Sequence, residues 1–441
     1  MGLLAPVLLF AGCQKAPAPV TTESAAAEGG ATGAVQSSGG QGGSAPSIPV
    51  AGAEATPPVS MEVATSDAGA SGRAGAAGAG AAAPDAAGAG GVAGEAAVSE
   101  PPALGPSEHK LLEREWFSGP MLGYDTQYMD RPFDLGAGPF AEVTLSFQLE
   151  SPCFPFDKWS ASPPPDGELF PAQCDRFDRL MYFEIDPAAE GDASAAPGLQ
   201  VLRAITPYGG PMEKTVDMTD FANTTPGPHS LRSFLGTWVD DEGQVSGSDG
   251  GYFLSVTIRV KHGTPERRAL AVTSLFSGWF SLETAEADLP FVLPEGTQRA
   301  QLQYLVTGHG GAMDPSSACI GAAEEFCQRT HHLTVDDSEL TPEGYARPAF
   351  VPWRDDCGEL CTRAQGHPMM GAYCQENPNR MERSVTAPRA NWCPGDSVAA
   401  IVAQLPAAQV TPGTHRARFA IDDMYPDGRW QVALAVYAYG D

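Results

Sequence analysis

The residues able to do chemistry sit in a few short runs. Cys174-Asp175-Arg176-Phe177-Asp178-Arg179 places two carboxylates and two guanidiniums within six positions. An unreactive amide yields when one carboxylate takes a proton from water and an acid gives one to the leaving nitrogen. Taken alone, Asp178 beside Arg179 reads equally well as an ordinary surface ion pair. His331-His332 suggests metal binding, with His309 as the one third ligand on offer. Adjacent residues of a strand point to opposite faces, so those two imidazoles do not readily share an ion. No further ligand set can be assembled, and no metal or other cofactor is expected. Cys357 and Cys361 leave two readings open, a zinc pair or disulfide partners.

The cysteines also speak to compartment. Of nine, Cys13 stands alone; the others lie at 153, 174, 319, 327, 357, 361, 374 and 393. An even set in an exported chain favours disulfides. Export is suggested by a short apolar run, Leu3-Leu4 and Val7-Leu8-Leu9-Phe10, ending in Ala11-Gly12-Cys13. Small residues before a cysteine resemble a lipobox, so residues 1–12 are expected to be a lipoprotein signal peptide and Cys13 the acylated residue. The run is far shorter than the roughly 20 residues that span a bilayer. Gln14 after the cysteine favours outer-membrane sorting, with the lipid as the only membrane contact. Formal net charge is −28, most of it beyond residue 107. Such a surface opposes phosphate-backbone binding, so no nucleic-acid partner is expected.

Positioning elements come next. Residues 13–107 are mostly Ala, Gly, Ser, Pro, Thr and Val, too poor in large apolar side chains to offset ordering entropy; a disordered tether is expected. Beyond it the dominant period is two. Val143, Leu145, Phe147 and Leu149 alternate with polar residues, as do Leu254, Val256, Ile258 and Val260. Leu302, Tyr304 and Val306, then Ala417, Phe419 and Ile421, then Val432, Leu434 and Val436 repeat it. Each reads as a half-buried strand, and many short strands between Gly/Pro turns predict β-sandwiches or jelly rolls. Gly263-Thr264-Pro265 marks the junction between a domain over 108–264 and another over 265–441.

Several of these runs, in order, resemble the peptide:N-glycosidase F family. The run 174–179 is similar to its Cys-Asp-x-x-Asp-Arg segment. Ile205-Thr206-Pro207-Tyr208, Asp217-Met218-Thr219-Asp220-Phe221 and Gly263-Thr264-Pro265 follow. Glu325-Phe326-Cys327-Gln328-Arg329-Thr330-His331 and Arg389-Ala390-Asn391-Trp392-Cys393-Pro394-Gly395 complete the series. The resemblance implies an all-β fold of two adjacent antiparallel eight-stranded jelly rolls. It implies hydrolysis of the amide between N-acetylglucosamine and asparagine, without metal, on an N-glycoprotein or N-glycopeptide. Asp178 would be the primary carboxylate and Glu325 the second acid from the other domain. Arg389 would orient Glu325 and hold it ionised. Arg179, Trp238, His309 and Trp392 would contact substrate. A monomer is expected. The alternative is a glycan-binding surface lipoprotein of the same fold that has lost turnover.

The departures matter. A family glutamate two residues before a tryptophan falls at Gly236, although Trp238 remains. His309 stands where the family has a tryptophan. The loop between Cys153 and Cys174 is long, with Trp159 and Pro163-Pro164-Pro165. Eight cysteines allow 105 pairings; with the resemblance, Cys153–Cys174, Cys319–Cys327 and Cys357–Cys393 are expected, leaving Cys361–Cys374.

Overall fold

The computed structural model describes residues 105–119, 127–154, 174–189, 195–237, 250–284, 288–310, 319–321, 323–357 and 387–441. The signal peptide, Cys13, nearly all of the tether, Trp159, Trp238 and the Cys361–Cys374 pair lie outside them.

Alternating side chains become strands that bury one face. In β3 (Phe140–Glu150) and β8 (Gly251–His262), Val143, Leu145, Phe147, Leu149, Leu254, Val256, Ile258 and Val260 are all buried. Together with β1 (Ser107–Ser118) and β6 (Met212–Asp217) they form an antiparallel sheet ordered β1-β8-β3-β6. It faces a second sheet, β2-β7-β4-β5, made of β2 (Tyr128–Asp134), β7 (Pro228–Leu235), β4 (Leu180–Ile185) and β5 (Leu199–Ile205). A short helix, α1 (Thr219–Thr224), follows β6. One apolar core, with Phe147 against Phe183 at 5.3 Å, fills the space between these sheets.

The second sandwich repeats the plan. One sheet is β10-β15-β12-β13, from β10 (Leu289–Leu293), β15 (Gly413–Ile421), β12 (His331–Val335) and β13 (Ser338–Glu339). The other is β14-β11-β16-β9, from β14 (Ile401–Gln404), β11 (Arg299–Gly310), β16 (Gly428–Tyr439) and β9 (Ala269–Phe280). The architecture is all-β, two eight-stranded antiparallel jelly rolls side by side.

The two are welded through strands buried on both faces. Within β16, Val432, Leu434 and Val436 enter the second core, while Ala433 and Ala435 pack on the other side. Ala433 joins Ile205, Leu305, Trp392 and Val398 in an apolar cluster spanning the domains. Alanines at those positions let the sheets approach. The edge of β5 is covered rather than left open to solvent. Ile205 N donates to Asp396 O, Gly395 N to Ile205 O and Val398 N to Arg203 O. The second domain therefore sends the segment holding Arg389 and Trp392 onto the first.

Candidate active site

Asp178 lies in the turn that enters β4, and that turn is fixed from inside. Asp175, fully buried, pairs with Arg179 Nε at 2.8 Å and accepts from Phe177 N. Burial pushes the Asp175 carboxyl up to about 6 against the pull of Arg179. Arg179 and Thr206 are tied by Arg179 N donating to Thr206 Oγ1 and Thr206 N to Arg179 O, each at 2.8 Å. Tyr252 Oη donates to Asp175 O, and the Cys153–Cys174 disulfide closes the turn. Gly250 runs so close that a Cβ there would sit 2.2 Å from the Cys174 carbonyl carbon.

Glu325 comes from the second domain, on the 3-10 turn Glu324–Phe326. Its neighbour Glu324 points inward, bonded by Arg329 Nε at 2.7 Å and Nη2 at 2.9 Å, and by Trp430 Nε1. That buried clamp aims Glu325 outward. The Cys319–Cys327 disulfide and the bond from Ala390 N to Glu325 O hold the turn to the Arg389 segment.

Arg389 joins the two acids. Its guanidinium, with no exposed surface, lies 3.0 Å from Glu325 Oε1 and 3.5 Å from Asp178 Oδ2, and donates to Tyr208 Oη at 2.8 Å. Phe326 and Trp392 rings lie 4.7 and 4.3 Å from its central carbon. The Cys357–Cys393 disulfide fixes this segment. Asp178 and Glu325 keep 19% and 24% of their side-chain surface exposed, so solvent reaches the carboxylates but not the cation. Burial pushes Glu325 up to about 7; Arg389 opposes this and the Asp178 charge adds to it. Arg389 thus orients Glu325 without holding it fully ionised, because desolvation outweighs one ion pair.

The other sequence-derived site residues fall in different places. Arg179 is turned inward onto Asp175. Trp392 is buried, donating from Nε1 to Gly308 O, and stacks against His309 at 5.6 Å. His309 Nε2 bonds Thr307 Oγ1, and burial keeps the ring neutral by lowering it to about 3. His331 is buried against Trp430, whereas His332 faces out to Glu339 and Asp422. Gly236 N donates to Leu180 O, putting a bare backbone two residues from Asp178. Sequence reasoning missed Tyr208 and Glu324 as partners, although both lie within or beside the family-like runs. Two adjacent glutamates look alike until one is buried.

The sequence profile "Peptide-N-glycosidase F, C terminal" matches residues 279–439, less than half of the chain. No curated protein sequence matches. Among solved structures, recombinant peptide:N-glycanase F is similar at 19% identity and TM-score 0.52, covering 76% of this chain and 96% of that one. PNGase F, a glycosylasparaginase from Flavobacterium meningosepticum, gives 18% and 0.51 with the same coverage. PNGF-II gives 15% and 0.54, with 76% of this chain and 66% of that one covered. At these identities the likeness concerns fold, and in fold the chain is of the peptide:N-glycosidase F type.

Proposed function

We propose that this chain hydrolyses the amide between N-acetylglucosamine and asparagine in N-glycoproteins or N-glycopeptides. The observation carrying the proposal is one buried guanidinium within 3.5 Å of a carboxylate from each domain. Asp178 takes a proton from a water as its oxygen attacks the asparagine side-chain carbonyl. Glu325, with its affinity for a proton raised to about 7, donates to the leaving nitrogen. The bond to nitrogen breaks, leaving aspartate on the peptide and a glycosylamine. Arg389 keeps the two carboxyl groups apart and oriented, and no cofactor is invoked. The test is incubation with a denatured N-glycopeptide, reading glycan loss and Asn-to-Asp conversion by mass. Release by wild type, and about 10²–10⁴-fold less by Asp178→Asn, supports the proposal.

Gly236 favours a second reading, glycan capture without turnover, because it offers no side chain near Asp178. Binding of the glycopeptide with no release would select it. In either case we propose an exported monomer, anchored as an outer-membrane lipoprotein through Cys13. The three described disulfides suit an oxidising compartment, and among the described residues no helix is long and apolar enough to cross a membrane.

A further inference from the structure

A stack of rings leads outward from Arg389. The guanidinium lies on Trp392, Trp392 on His309 at 5.6 Å, and His309 against the edge of Trp279 at 5.7 Å. Trp279, in β9, is the outer member and is 48% exposed. A single exposed aromatic is unremarkable by itself; its place is not. Trp279 sits directly across from Gln431, and Gln431 across from Thr307. Directly opposed residues of antiparallel strands share a face. That face is the one turned to the first domain, since Arg203 of β5 donates to Thr307 Oγ1.

Gln431 supplies a second, independent sign. The residue is 3% exposed, and its Oε1 is buried without a hydrogen-bond partner. Buried amide oxygens are ordinarily paired, so one spare beside an exposed indole marks a place where a ligand hydroxyl can complete the set after a small side-chain rotation. An indole face with an amide alongside suits a sugar ring. The ring's C–H face packs on the aromatic surface while its hydroxyls reach the amide.

We propose that Trp279, with Gln431 beside it, is a subsite for a sugar of the N-glycan beyond the asparagine-linked N-acetylglucosamine. This rests on the function proposed above and names how that site selects long glycans over short ones. His309 is smaller than the tryptophan of the family pattern at its position. The Trp279 indole, on β9 two strands over across β16, supplies aromatic surface further out instead.

The experiment compares two glycopeptides of one sequence, carrying a full N-glycan or a single N-acetylglucosamine. Affinity is measured by calorimetry on the Asp178→Asn background, and kcat/KM on the otherwise unaltered chain. Trp279→Ala is expected to cut the preference for the full glycan about tenfold, carried mainly by KM. Trp279→Phe should recover most of that preference. A merely structural residue would weaken both glycopeptides alike and leave the ratio where it was. An unchanged ratio in Trp279→Ala overturns the subsite while leaving the amidase reading intact. Failure of the unaltered chain to bind or cleave either glycopeptide overturns both. Binding without cleavage ends only the amidase reading, and the affinity ratio still decides the subsite.

Discussion

Arg389 and Glu325 illustrate how burial changes what a familiar pair does. An exposed ion pair would leave the glutamate ionised throughout the neutral range. Here the guanidinium is fully covered, and desolvation carries the Glu325 carboxyl from the ordinary 4.5 up to about 7. The folded chain therefore holds a proton between about pH 4.5 and 7 that the unfolded chain has released. Stability must then fall as pH rises through that window, since the folded state binds more protons. Glu325→Gln should remove this slope, so its melting temperature should gain on wild type between pH 5 and pH 8. If Glu325 is the acid, glycopeptide release should also decline as pH rises through about 7, and the substitution should lower it about 10²–10⁴-fold. Thermal melts and a pH–rate profile check the two halves separately; an alkaline limb that persists in Glu325→Gln assigns that ionisation elsewhere.

Elements position these groups by bracing, and the turn before β4 is the clearest case. Asp175 and Arg179 neutralise each other inside, Tyr252 holds the Asp175 carbonyl, and Gly250 allows the backbone close. Asp178 is left on the outer side of a rigid loop. The Cys153–Cys174 disulfide anchors the loop's start, so Cys153→Ser with Cys174→Ser should cost about 2–5 kcal/mol of stability. Release should suffer beyond that loss, because in the proposed reaction Asp178 places the nucleophilic water. Comparison by calorimetry and by kcat/KM at 25 °C tests the point, and equal activity in the double variant would show that the inner braces suffice. Much of this element was legible in the sequence: the alternation in β3 and β8 gave strands, and the family-like run gave Asp178. The inward turn of Arg179 was not, because nothing local says which of Asp175 and Asp178 an arginine four or one residues away will choose.

At the scale of the whole molecule, the site exists only because two sandwiches hold a fixed register. The sequence showed two units but not their interface. Its period-two pattern made β16 a half-buried strand with Val432, Leu434 and Val436 inward, whereas the structure also covers the face carrying Ala433 and Ala435. The partner on that face is β5, and Arg203 is its rivet. Arg203 is fully buried with no carboxylate bonded to it among the described residues; it donates to Gln431 O at 2.6 Å and Thr307 Oγ1 at 3.2 Å across the interface, and to Gln200 Oε1 on its own side. Burial brings its guanidinium down to about 9, still charged at neutral pH. Arg203→Leu should cost roughly 3 kcal/mol by stranding those acceptors. Phe147→Leu, a change between the two sheets of the first sandwich where Phe147 packs on Phe183, serves as the control. Misplacing reacting groups by about 1 Å can cost a factor near 10², so Arg203→Leu should lower kcat/KM about tenfold or more at a temperature where both variants are folded. Phe147→Leu should lower it less than about twofold. Equal activities in the two variants, at equal folded fractions, would mean that the segment 395–398 sets the register of Asp178 and Glu325 without Arg203.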